Sequence, residues 1–167
     1  MKHFALFALI LVCAVGVFGQ KTTKSPKYPA ALSKTSTIKV FLVAVGDSGK
    51  IGRKIGCDDS LVAVTRTIKA TPAPLKAALE ELLFIPEEFD SNGQQLGNYW
   101  KGTALKLKSV ALKNGVATIQ ITGHIFVAGI CDEPRIEEQI KATAKQFPTV
   151  KSVKVTINGI PLRKAIS

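Results

Sequence analysis

The stretch from Phe147 to Gly159 constrains the possible folds of this chain more than any other. Pro148 lacks an amide hydrogen and cannot continue the helical pattern before it. Beyond it, Val153, Val155 and Ile157 alternate with Ser152, Lys154 and Thr156, a period of two that puts one set on each face of a strand. Asn158-Gly159 then tolerates the positive φ of a tight turn. A helix end, a break, a half-buried strand and a turn follow one another without a catalytic side chain. The stretch describes a scaffold.

The N-terminal residues bear on the compartment. Lys2 and His3 give a short polar start, Phe4 to Val15 form an almost unbroken apolar run, and Val17-Phe18-Gly19 offers acceptable residues to a signal peptidase. This predicts a secretory signal peptide over residues 1–19, and hence an exported protein of the periplasm, cell envelope or extracellular space. The apolar run falls short of the roughly 20 residues that span a bilayer, and no later stretch reaches that length. Val12 is bulky where a lipoprotein signal needs a small residue, which argues against lipidation at Cys13.

The formal charge of +11 falls to +10 when Lys2 is removed with the leader. Residues 20–37 form a basic flexible linker with Lys21, Lys24, Lys27 and Lys34 and no acid. They read first as a solvated tether, and second as an arm that contacts an anionic polymer or lipid headgroups. Residues 38–167 are long enough for one domain with a real core.

Cys57 and Cys131 remain after cleavage. An even pair in an exported chain favours a disulfide over a metal site or a nucleophile. No histidine is placed to activate either thiol, and the ligand spacing of a zinc site is absent. A bridge would close a long loop and contribute about 3–5 kcal/mol in the chain-entropy account.

Ile38 to Val45 predicts a central strand, and Leu61 to Ile68 a second extended segment after a glycine-rich basic loop, Gly46 to Asp59. Thr71-Pro72-Ala73-Pro74 opens a helix whose Leu75, Ala78, Leu79, Leu82 and Leu83 form one apolar stripe, closed by Pro86. Glu87 to Lys101 is a polar loop holding Tyr99 and Trp100, a candidate contact surface or a seal on the core edge. Asn114-Gly115 between two β-rich runs predicts a hairpin over Leu107 to Thr122, with Leu112 facing Ala117 and Val110 facing Ile119. Asp132 caps a second helix with Ile136, Ile140, Ala144 and Phe147 on its buried stripe. The order is β-β-α-β-β-α-β: a single α+β domain, a mostly antiparallel sheet with two helices packed on one face.

Candidate chemistry is sparse. Adjacent carboxylates such as Glu80-Glu81 and Glu137-Glu138 diverge by about 100° on a helix and suit a solvated surface better than acid–base work. Asp58-Asp59 offers two neighbouring oxygen ligands, too few to specify a cation site. The loop from Gly46 to Gly56 follows a strand like a phosphate loop, but Ile51 stands where Ser or Thr is needed after Lys50. Gly49-Lys50-Ile51-Gly52 also matches a nucleic-acid clamp by four residues, a match common by chance, and no nucleic-acid partner is expected. The loop reads as a flexible basic hairpin loop in which Lys50, Arg53 and Lys54 are candidate anion-binding groups. No metal, cofactor or catalytic set is expected.

With these elements placed, the chain resembles the GerMN domain, a family named for bacterial sporulation and spore-germination proteins. The likeness covers about residues 38–162. It rests on Val40-Phe41-Leu42, Leu61-Val62-Ala63-Val64-Thr65-Arg66, the run Leu75 to Leu83, Lys113 to Ile119, Gln139-Ile140, Gln146 to Val153 and Ile157-Asn158-Gly159, in that order. The family's usual Gly-Pro after the first helix is replaced by Phe84-Ile85-Pro86. The resemblance implies a paired Cys57 and Cys131, as in some exported members, and a non-catalytic module that docks on envelope proteins or on itself. The alternative is binding of an anionic cell-wall polymer or carbohydrate through the basic arm, the basic loop and Tyr99-Trp100.

Overall fold

The computed structural model describes residues 34–89 and 93–167. The signal peptide expected at 1–19, the linker as far as residue 33, and residues 90–92 lie outside them. Strand β1, Thr35–Ala44, pairs antiparallel with β3, Ser60–Lys69, and β3 carries the short β2, Arg53–Lys54, on its other edge. The strand starts ahead of the expected Ile38: Thr35, Ser36 and Thr37 pair with Lys69, Ile68 and Thr67, so the tail of the expected linker is sheet.

Helix α1, Pro74–Phe84, buries the predicted Ala78, Leu79, Leu82 and Leu83, with Pro74 in its first turn. The 87–101 segment holds a two-stranded ribbon, β4 Glu88–Phe89 with β5 Gln95–Leu96, which short-range patterning does not reveal. Next come β6, Gly102–Lys113, and β7, Val116–Ile125, joined at Asn114 (φ 52) and Gly115 (φ 77). Both positive φ values fit the predicted turn, and Leu112 and Val110 face Ala117 and Ile119 as predicted. Helix α2, Asp132–Lys145, is followed by β8, Ser152–Ile157, β9, Ile160–Pro161, and a short C-terminal helix α3, Leu162–Ile166.

The α+β class and main element order are those read from the sequence. The sheet, however, is divided. One sheet runs β1-β3-β2, and the second runs β6-β7-β8-β9 with β7 and β8 parallel. Helices α1 and α2 pack on one another and on strands of both sheets, and Leu162 and Ile166 of α3 complete the core.

Why β1 does not extend the second sheet follows from its free edge. Gln146 accepts from the Lys39 amide (2.7 Å) and donates to the Lys39 carbonyl (2.6 Å). Thr143 Oγ1 accepts from the Phe41 amide (3.3 Å), and Gln139 Nε2 donates to the Phe41 carbonyl (2.8 Å). Val43 exchanges both of its bonds with Gly97. Side chains of α2 therefore replace a neighbouring strand, satisfying backbone groups that an edge would otherwise expose.

Candidate functional site

The residues singled out by sequence collect around the first half of α2. The loop from Gly46 to Asp59 does not behave as a flexible basic hairpin, because two buried aspartates fasten it. Asp47 accepts from the Ile51 amide (2.9 Å) and from the Ser60 hydroxyl, while Ser60 Oγ accepts from the Gly49 amide (2.7 Å). Asp59 Oδ1 accepts from the Gly46 amide (2.9 Å), and the Ser48 amide donates to the Asp58 carbonyl (2.7 Å). The Ser60 hydroxyl and the Ile51 amide hold the Asp47 carboxyl below its usual range. Amides that would cradle an anion are bound by the protein's own oxygens.

The three candidate anion-binding groups do not converge on an open site. Arg53 bridges to Glu138 on α2 (2.6 Å) and Lys54 to Asp58 (2.8 Å), leaving Lys50 without an ion pair among the described residues. Arg53 and Glu138 line an open groove of about 530 Å³ between β1 and α2, together with Phe41, Lys141 and Lys145.

Cys57 and Cys131 form the disulfide, with Cα atoms 5.8 Å apart. Cys57 (φ 60) and Asp58 (φ 55) both sit in the left-handed region, a turn held at both flanks by the fastened loop. Asp132 was the expected cap of α2, but Cys131 occupies that position and Asp132 is the first helical residue. Its carboxylate instead accepts from the Ala128 amide (2.8 Å) and from Arg135 (3.1 Å). Arg135 also donates to the fully buried Asp59 (2.6 Å) and lies 4.7 Å from the Tyr99 ring centroid. Burial opposes the Arg135 charge most strongly of any single cause, but its bonds to Asp59 and Asp132 and the neighbouring charge together raise its pKa. The Asp58-Asp59 pair thus serves the chain's own cations.

Of the two alternatives open for the aromatic pair, Trp100 takes the seal on the core. It is 2 % exposed, and its indole donates to the Ile136 carbonyl (3.1 Å). Tyr99 is half-buried under Arg135, and burial is the main reason its phenol pKa is raised. Asn98, also buried, donates to the Leu82 and Ile85 carbonyls (2.8 and 2.9 Å) and so closes the end of α1. Gln139 joins these parts: its Oε1 accepts from the Tyr99 amide (2.8 Å) while its Nε2 holds β1. Arg135, Asn98 and Gln139 went unmarked as site residues, because their partners are distant in sequence.

The β7–α2 connection places another feature outside the sequence reading. Phe126 and Ile130 are 65 % and 80 % exposed. Their loop is fixed by Phe126 N donating to the Lys101 carbonyl (2.7 Å), by Ala128 on Asp132, and by the bridge at Cys131. Among the described residues, no group of three or more His, Cys, Asp or Glu side chains is arranged to hold a metal ion, and no helix is long and apolar enough to cross a membrane.

Comparison with known proteins places this geometry. The family described as Germane, sporulation and spore germination, matches residues 42–163. The tandem GerMN domains of the sporulation protein GerM from Bacillus subtilis align with a TM-score of 0.53 and 22 % identity, over 81 % of this chain and 43 % of that one. The first GerMN domain of GerM from Bacillus subtilis aligns with a TM-score of 0.52 and 21 % identity, over 75 % of this chain and 85 % of that one. At these identities the likeness is one of fold, and this chain spans less than half of the tandem structure. No curated protein matches it.

Proposed function

This chain belongs to the Germane family of sporulation and spore germination, and we propose that it is an exported, non-catalytic module of the cell envelope that docks on another envelope protein or on a second copy of itself. The observation that carries this reading is the β7–α2 loop, which holds Phe126 and Ile130 in water on a covalently anchored frame. Val45, Phe84, Leu112 and Ile160 are also exposed, as single apolar side chains commonly are, whereas Phe126 and Ile130 stand four positions apart on one fixed loop, which suits a partner surface. The buried polar groups around α2 fit the same role. Asp59, Arg135 and Gln139 each have partners within the chain, as a rigid contact platform requires. The tandem arrangement of the domain in GerM agrees with modular use.

A photoreactive residue in place of Ala128 tests this in cells. The expected result is discrete adducts with an envelope protein or a second copy, lost when Phe126→Ser and Ile130→Ser are combined while the thermal melt is unchanged. Adducts that survive the double variant overturn the assignment of the loop. A chain that gives no adduct and sediments as a monomer at every concentration overturns the docking reading.

A further inference from the structure

The face of the second sheet turned away from the core differs in chemistry from the rest of the surface. Buried Ala117, Ile119, Ile121, Val155 and Ile157 point inward, so Thr118, Gln120 and Thr122 of β7 and Lys154 and Thr156 of β8 point outward. On β6 the residues opposite them are Lys106, Ser109 and Ala111, with Lys113 at the hairpin end. Lys108 is the extra residue at the bulge between Leu107 and Ser109, and lines a shallow cleft of about 80 Å³ with Gln120, Thr122, Thr156 and Asn158. The result is a strip of hydroxyls and amides bordered by ammonium groups.

The charges here are unmatched. Residues 102–125 and 150–161 contain no Asp or Glu. Among the described residues, none of Lys106, Lys108, Lys113 and Lys154 has an ion-pair partner, whereas Arg53, Lys54, Lys76, Lys101, Arg135, Lys141 and Arg163 each do. Lys39, Lys50, Lys69 and Lys145 likewise have no ion-pair partner among the described residues, but this flat face combines four open ammonium groups with strands that carry no carboxylate, which makes it complementary to an extended anion.

We propose that this sheet face binds a linear polyol-phosphate polymer, the lysines meeting its phosphates and the Ser109, Thr118, Gln120, Thr122 strip its hydroxyls. The outward positions carry no Phe, Tyr or Trp on which nucleic-acid bases would stack, and no large apolar group to enter a bilayer. The face is distinct from the Phe126–Ile130 loop, so each proposal stands or falls alone.

The test is titration of the isotopically labelled chain with synthetic poly(glycerol phosphate), followed by NMR. Shifts are expected at Thr118, Gln120, Thr122, Lys154 and Thr156. Affinity should fall at least about tenfold on going from low to physiological salt, and by a similar factor when Lys106, Lys108, Lys113 and Lys154 are changed to Gln. Lys50→Gln with Arg53→Gln, and the Phe126→Ser/Ile130→Ser pair, should leave it unchanged. Shifts confined to α2 and the 46–59 loop, loss of binding only in the Lys50/Arg53 variant, or equal binding to an uncharged polyol overturn the proposal. So does tighter binding to a single-stranded oligonucleotide or to phosphatidylglycerol vesicles. An unchanged amide spectrum elsewhere establishes that the lysine variant is folded.

Discussion

Gln139 does at a single position what a catalytic residue does in an enzyme, except that its product is shape. It is fully buried and binds β1 through Phe41 and the ribbon segment through Tyr99. Gln139→Leu keeps the volume but leaves the Phe41 carbonyl and the Tyr99 amide without partners, and should cost about 2–4 kcal/mol in urea unfolding. Asp47 acts in the same way on the 46–59 loop. Because its folded pKa lies below the unfolded one, its carboxylate adds stability that is present above about pH 4 and is lost as pH falls through the lower, folded value. Stability measured from neutral to strongly acidic pH should therefore decline less steeply in Asp47→Asn than in the parent, from a lower starting value. Equal slopes would show that Asp47 carries none of the acid sensitivity. Tyr99 has the opposite sign: burial raises its pKa, so its contribution is complete below about pH 10 and disappears as pH rises through the folded value. Ultraviolet absorbance of the phenolate should rise later for Tyr99 in the folded chain than in urea.

Helix α2 is the element on which the fold depends, since it fills the core with Ile136, Ile140 and Ala144 and closes β1 with Gln139, Thr143 and Gln146. Combining Thr143→Val with Gln146→Ala should raise amide hydrogen exchange at Lys39 and Phe41 by about tenfold or more while leaving the β6–β7 hairpin protected. Uniform acceleration across the chain would mean that the helix caps no edge in particular. The hydrophobic half of α2 was legible in the sequence because a period of 3.6 is a local property. Its polar half was not, because Gln139 and Thr143 look like solvent-facing residues until β1 is set beside them. The same division separates the hairpin at Asn114-Gly115, which local turn chemistry specifies, from the parallel pairing of β7 with β8, which only tertiary packing decides. The fastening of the basic loop was hidden for a related reason: its glycines and lysines are visible in sequence, and the Asp47 and Asp59 carboxylates that accept from its amides become visible only when folded.

Across the molecule, the disulfide joins the 46–59 loop to the start of α2 over 74 residues of chain. In the chain-entropy account, that closure contributes about 4 kcal/mol, so reduction or paired Cys57→Ser and Cys131→Ser substitution should lower unfolding stability by about that amount. The variant should also free the Phe126–Ile130 loop, raising proteolysis there before elsewhere. Equal unfolding curves with and without reductant would contradict the role given to the bridge. Charge is distributed unevenly on the same scale, with ion pairs concentrated around α2 and no carboxylate in the strands of the outer sheet face at 102–125 and 150–161. The capping of β1 by α2 also carries a consequence in time. Lys39 and Gln146 are 107 positions apart, and chains emerge from the ribosome at about 5–20 residues per second. For roughly 5–20 seconds of every synthesis, the first strand therefore exists without the helix that finishes it, and any factor that protects the nascent chain has its work set by that interval.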